Sequence, residues 1–544
     1  MQRVVLILSA VLVLFGLSGT LSTVDAQPED ILQAPSSLEE IVQSLATARR
    51  NEIPALVENI AELEDLRRRA FLESMLEGQI YFTREEQRVV RAVRIEDQFQ
   101  ISDSLTGEEL GLVGTRAVGR VSVNNSLRRN LRLLIAGIDL EDEEPGIRLS
   151  AVEYLVSQAA TESRELLLQL RSVESDDSVT LAIEEGLALV DLSSEDPLLR
   201  SAALDQLSGN LNNTIRNAIR QVAEGDPDPD VQAKAEDALS SIQNKVELYG
   251  YVQTLFFGLS LGSVLLLAAI GLAITFGVMG VINLAHGELI MLGAYTTYVV
   301  QQTFPNSIEV SLLIAVPAAF IVSGLFGIAI ERGIIRFLYG RPLETLLATF
   351  GISLILQQLV RTVFSPQNRP VSNPDWMSGQ WQLNEVLAFN YNRLYILIFC
   401  IIVFALLSLL LKKTRLGIEV RAVAQNRAMA KAIGVRSGWV DALTFGLGSG
   451  LAGIAGVALS QLTNVGPNLG QAYIVDSFMV VVFGGVGNLW GTFYGSFILG
   501  ITNKIMEPWA GAVIAKILIL VFIILFIQKQ PKGLFPQKGR GMEE

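Results

Sequence analysis

Nine apolar runs of spanning or near-spanning length follow one another in the second half of this chain, near 251–276, 281–302, 309–331, 344–363, 394–411, 439–462, 474–487, 489–503 and 512–528. A bilayer core needs about 20 such residues per helix. Inside lipid no water satisfies the backbone, so runs like these fold as helices or not at all. The expected class is therefore an all-α polytopic membrane protein with eight or nine transmembrane helices, over 249–530. The seventh and eighth runs are short and meet at Gly484-Gly485-Val486-Gly487-Asn488, where a broken or re-entrant helix is one expectation.

Charge divides the chain. Residues 27–248 carry 42 Asp/Glu against 22 Lys/Arg, and residues 249–544 carry 12 against 19. An acidic polar half precedes a basic apolar half. The acidic half argues against nucleic-acid binding, which needs the opposite sign. Fourteen of the 19 basic residues of the second half fall in three segments: 332–341, 412–436 and 529–540. Positive connections stay cytoplasmic, and nine crossings that start outside put all three there. The polar connection 364–392 is then external. The one cysteine, Cys400, forbids an intrachain disulfide and, with a single histidine, a Cys/His zinc site.

The N-terminus reads as an address. Arg3 precedes an apolar core from Val4 to Leu17, and Val24-Asp25-Ala26 offers a cleavage site, so residues 1–26 are expected to be a signal peptide. An uncleaved anchor is the competing reading. Either way residues 27–248 lie outside the cytoplasm. They read as mostly helical, with short strands within 78–123, from Ile80-Tyr81-Phe82, Val113-Gly114-Thr115 and the run Val118 to Val123. A helical stripe recurs at Ile147/Ala151/Leu155, Val179/Ile183/Leu187, Leu199/Ala203/Leu207 and Val231/Ala235/Leu239, with starts 32, 20 and 32 residues apart. Asp196-Pro197 and Asp228-Pro229 precede the last two, which suits capping with proline in the first turn. This pattern is similar to a HEAT-like α-solenoid. An ordinary helical bundle is the plainer alternative.

Three segments hold mechanism. The run Gly271 to Tyr295 is apolar but contains Asn283, His286 and Glu288, and a charge at the bilayer centre costs about 2.5–3.5 kcal/mol. These residues are candidates for a gate or substrate path; a capped helix start at the cytoplasmic interface is the alternative. The cytoplasmic loop 412–438 should be helical at its centre, with a basic side at Arg427 and Lys431 and exposed Ala424, Ala428 and Ala432. It suits docking on a cytoplasmic partner, or else lies on anionic lipid. Glycines at 446, 450, 453 and 456 predict close helix packing. Gly484, Gly485 and Gly487 predict a turn that lines a cavity or hinges. No GxxxxGK[ST] loop occurs, so ATP hydrolysis is not expected in this chain, nor any cofactor.

The segments GVMGVINLAHGELIMLGAY, TRLGIEVRAVAQNRAMAKAIGV and VDSFMVVVFGGVGNLWGTFYG together resemble the permeases of ABC importers for branched-chain amino acids and urea, over roughly 250–535. Members often have phenylalanine where Leu284 stands. The resemblance implies a transport subunit, not an enzyme, in a bacterial inner membrane. It implies a second homologous permease, two cytoplasmic ATPases that bind ATP and Mg, and a periplasmic substrate-binding protein. Loop 415–436 would couple to the ATPases through Arg415, Gly417, Arg421, Ala424, Arg427, Ala430 and Gly434. Asn283, His286, Glu288, Gly484, Gly485 and Gly487 would serve gate or path, and residues 531–544 would form a cytoplasmic tail. Branched-chain amino acid permeases are about the size of 250–544 alone. The long preface, with Asn124-Asn125-Ser126-Leu127-Arg128-Arg129, is similar to the urea branch and points to urea or short amides. A branched-chain amino acid permease, a passive urea or amide channel, and a scaffold or receptor are the other readings.

Overall fold

The computed structural model describes residues 37–95, 98–157 and 164–536. The expected signal segment 1–26 and the last residues of the tail lie outside them. The chain forms two compact units, 1–244 and 245–544.

In the first unit, helices α1 (Leu38–Ser44), α2 (Ile53–Glu62) and α3 (Arg67–Leu76) pack Leu38, Ile41, Phe71 and Leu72 against Leu131 of α4 (Asn125–Asp139). Between α3 and α4 lies a five-stranded antiparallel sheet, β1 (Ile80–Thr83), β2 (Val89–Ile95), β3 (Gln98–Asp103), β4 (Glu109–Gly114) and β5 (Val118–Arg120), in the order β4-β3-β2-β1-β5. The β-branched patches of the sequence are these strands. Asn124 starts α4 by accepting from the Leu127 amide at 2.8 Å.

Helices α5 (Pro145–Ser157), α6 (Arg164–Arg171), α7 (Asp177–Asp191), α8 (Pro197–Leu207), α9 (Asn213–Gly225) and the start of α10 (Pro229–Met279) follow. Asp196 caps α8 through the Leu198 amide at 2.9 Å, with Pro197 in the first turn as read from the sequence. The apolar stripe is buried at Val179, Ile183, Leu187, Ala203, Leu207, Val231 and Ala235. Leu199, in the first turn of α8, instead faces solvent at 41 % exposure.

Two ion pairs recur with one geometry. Arg148 grips both carboxylate oxygens of Glu174 at 2.8 and 2.9 Å, and its Nη1 donates to the carbonyls of Asp142 and Glu143. Arg200 does the same to Asp226 at 2.7 and 2.8 Å and to the carbonyls of Ser194 and Glu195. Arg148 and Arg200 stand 52 positions apart, the period of the apolar stripes. Each therefore staples one helical repeat.

The staples have a pH consequence. The Arg148 hydrogen bond holds the Glu174 carboxyl down, from 4.5 to about 2. Arg200 likewise lowers Asp226. A depressed folded pKa gives stability that is present above the unfolded value and lost as pH falls through the folded one. Proteolytic resistance of the first unit should thus fall between pH 4.5 and about 2. Glu174→Gln should flatten that dependence, measured by limited acid proteolysis of the whole chain; an unchanged profile would refute the assignment.

The second unit holds the rest of α10, then α11 (His286–Thr303), α12 (Ile308–Gly333), α13 (Pro342–Phe364), α14 (Tyr391–Lys413), α15 (Arg415–Gln425), α16 (Arg427–Ala432), α17 (Ser437–Ser460), α18 (Leu469–Gly484) and α19 (Leu489–Lys529). The hairpin β6 (Gln380–Gln382) and β7 (Ala388–Asn390) lies in the polar connection before α14. Among the described residues six helices are long and apolar enough to cross a membrane: α10, α12, α13, α14, α17 and α19. The sequence reading expected eight or nine. Two of the expected runs became α11, which carries His286 and Glu288, and α18, which has only 16 residues.

α19 accounts for another expected crossing. Its 41 residues would reach about 60 Å if straight. Yet Asn488, just before it, donates to the Phe535 carbonyl just after it, at 3.2 Å. The helix therefore doubles back, at Pro508 and at Gly511, whose φ of 77° is open to glycine. The runs 489–503 and 512–528 are its two arms.

The centre of this unit is built on small residues. A Cβ at Gly453 would lie 2.4 Å from the Ala319 carbonyl oxygen of α12, and one at Gly456 would lie 2.0 Å from the Ile290 oxygen of α11. The glycine face of α17 thus brings three helix backbones together, as the spacing predicted.

Candidate functional site

The polar cluster at the start of α11 is a buried seam against α10 and α13. Asn283, His286 and Glu288 are all about fully buried. The His286 ring Nε2 stands 2.9 Å from the Ala268 carbonyl of α10. A carbonyl only accepts, so Nε2 carries the proton. Glu288 Oε1 accepts from Ser353 Oγ at 2.7 Å and from Gln357 Nε2, both on α13. Asn283 Oδ1 accepts from the Ala285 amide at 3.0 Å, and Leu284 N donates to Thr349 Oγ1 at 3.2 Å. Glu288 sits in the first turn, where the helix dipole favours it. No side chain caps α11 itself. Asn283 Nδ2, His286 Nδ1 and the Tyr295 hydroxyl are buried with no hydrogen-bond partner.

The α13 half of the seam escaped the sequence reading, which took 344–363 as an apolar span. The signal was present: Thr345, Thr349, Ser353 and Gln357 stand four apart and are all buried. A polar stripe at helical spacing inside an apolar run marks an inward polar face.

The coupling segment is two helices. The chain breaks at Asn426, which is extended (φ −149°, ψ 98°) and caps α16 by accepting from the Met429 amide at 2.9 Å. One central helix was expected. α15 lies against the end of α14: a Cβ at Gly417 would meet the Leu411 carbonyl at 2.0 Å, and Arg421 donates to that carbonyl. Val420, Val423, Ala430 and Val440 form a small core with Val278 at the end of α10. Ala430 is thus a packing residue, and Ala424 is half-buried rather than exposed. Ala428, Met429, Ala432 and Ile433 are exposed, Met429 at 62 % and Ile433 at 71 %. Arg415 and Gly434 are exposed, and Gly434 has a φ of 94°. Arg427 does not form a basic face with Lys431. It turns inward and grips the buried Asp441 of α17 with bonds of 2.7 and 2.9 Å.

Gly484, Gly485 and Gly487 form the turn between α18 and α19. Gly485 and Gly487 have φ of 105° and 77°. Leu534 and Phe535 donate their amides to the carbonyls of Phe483 and Gly484 at 2.9 and 3.1 Å. The start of the tail therefore straps this turn, and Gly487 packs on Gly277 of α10. The turn and the α11 seam thus rest on the same helix, α10, at Gly277 and at Ala268.

Buried polar seams inside a bundle of membrane-length helices, with a two-helix loop packed across its helix ends, define a polytopic permease. The chain belongs to the permease-component family of branched-chain amino acid transport systems, whose family model matches residues 254–527. It is similar to the high-affinity branched-chain amino acid permease BraD of Pseudomonas aeruginosa, 30 % identical over 298 residues that cover 53 % of this chain and 96 % of that protein. LivH of Escherichia coli K12 is 29 % identical over 294 residues, covering 52 % of this chain and 95 % of LivH. The ribose import permease RbsC of Escherichia coli K12 is 28 % identical over 263 residues, 46 % of this chain and 77 % of RbsC. No solved structure matches.

Proposed function

We propose that this chain is the membrane-spanning permease subunit of an ATP-driven importer in a bacterial inner membrane, working by alternating access beside a second homologous permease. Two cytoplasmic ATPases would bind ATP and Mg and dock on loop 412–438, and a periplasmic protein would deliver the solute. The observation that carries this reading is the loop itself. One side of α15 and α16 is packed into the membrane unit, while Ala428, Met429, Ala432 and Ile433 are left exposed as an apolar edge. Such an edge suits burial in a groove of a partner. The basic connections support a cytoplasmic loop and tail and an external first unit.

Two substrate readings have support. The names of BraD and LivH, matched over nearly their whole length, favour branched-chain amino acids. The first unit, which precedes the family match at residue 254, favours urea or short amides through its likeness to the urea branch. Its repeated Arg–carboxylate staples support a HEAT-like solenoid there. Uptake of labelled leucine and labelled urea by cells carrying the whole complex separates them. The expected result is ATP-dependent uptake of one of the two. Flux indifferent to the ATPases would mean a passive channel and end the importer reading.

A further inference from the structure

We propose that the Arg427–Asp441 pair is the rigid link that carries motion of loop 412–438 into the helix bundle; this rests on the importer reading above. Arg427 belongs to α16 and Asp441 to the second turn of α17. Asp441 is fully buried, and both its oxygens are held, at 2.7 and 2.9 Å. A bidentate guanidinium–carboxylate pair fixes orientation as well as distance. It therefore transmits rotation, which an apolar contact would let slip.

The pair closes a ring. The Arg427 guanidinium lies 4.9 Å from the Tyr339 ring centroid. Tyr339 donates its hydroxyl to the buried Glu331 of α12 at 3.1 Å. Beside Glu331, Arg332 lies over Trp439 of α17 at 4.4 Å. Loop, α12 and α17 are thus joined at one end of the bundle. Beyond that end, Gly453 and Gly456 bring the α17 backbone onto the Ala319 carbonyl of α12 and the Ile290 carbonyl of α11, so at these points a displacement of α17 presses directly on its neighbours' backbones. A push on α16 becomes a movement of α17 and of the helices packed on it. Arg427 is in this account a positioning residue. Its side chain serves the bundle, while Ala428 and Met429 face the partner.

The test is solute moved per ATP hydrolysed by the complete complex in proteoliposomes, with labelled leucine and labelled urea as probes. Arg427→Ala and Asp441→Asn should each lower that ratio by about tenfold or more. The double variant should be no worse than either single one, because both remove the same link. Arg427→Lys should keep part of the ratio. In a Cys400→Ala background, Arg427→Cys with Asp441→Cys should regain coupling once the two thiols are bridged by a short bifunctional reagent. An unchanged ratio in Arg427→Ala overturns the proposal. So does a fall of uptake and hydrolysis together in proportion to folded protein, or a bridge that restores nothing. Wild-type uptake indifferent to ATP would sink the importer reading and this link with it. Normal wild-type uptake with an unaffected Arg427→Ala sinks the link alone.

Discussion

Replacing Gly456 by valine is expected to abolish the folded membrane unit. The first added carbon would lie 2.0 Å from the Ile290 carbonyl oxygen and 2.6 Å from the Ala294 amide nitrogen of α11. These are backbone atoms, so no rotamer change relieves the clash. The helices must separate, and the Gly293 contact to Gly453, one turn away, opens with them. Overpacking of a core typically costs about 1–3 kcal/mol, and forcing two backbones apart exceeds that range. In the membrane the loss is not recovered by burial elsewhere, since lipid tails are as apolar as the packed helices. Gly438→Ala is the matched control, because its Cβ would meet nothing within 4 Å. The measurement is the yield and thermal stability of detergent-extracted protein. Wild-type behaviour of Gly456→Val would mean that α11 and α17 are not in contact at this level.

The parts of the fold that were legible in the sequence are those that one period decides. The apolar runs, the GxxxG spacing of α17 and the Asp-Pro start of α8 each reduce to one rule of helix geometry or solvation, and each is where it was expected. What was missed depended on two distant segments at once. Nothing near Asp441 announces that Arg427 will reach it, so Arg427 and Lys431 read together as a basic side of the loop, turned to a partner or to anionic lipid. The break in α19 was legible, because Pro508 and Gly511 sit between the two apolar runs 489–503 and 512–528 that became its arms. Asn283, His286 and Glu288 stood out because polar groups in an apolar run are costly. Their partners on α13 were overlooked because threonine, serine and glutamine disturb a hydropathy average less than a charge does. The strap of Leu534 and Phe535 on Phe483 and Gly484 pairs backbone atoms, which no side-chain pattern encodes.

Ala428→Glu should abolish uptake while the protein still inserts. Ala428 is exposed on α16 beside Met429 and Ile433. Its side chain carries no hydrogen bond, so the substitution leaves the packing of Ala430 and the Arg427–Asp441 pair in place. On the importer reading this edge is buried under the ATPase. An unpaired carboxylate buried there costs several kcal/mol, and each 1.4 kcal/mol is about tenfold in affinity. The expected loss of ATPase association is therefore on the order of a hundredfold or more. Ala424→Glu tests something else, because Ala424 is half-buried and a carboxylate there also strains α15. The measurement is co-purification of the ATPases with the tagged chain, alongside labelled-solute uptake. Loss of both with normal insertion places the ATPase on this edge. Retained association and uptake would mean that the loop only faces lipid or water, and the drive for transport would have to enter the membrane unit elsewhere.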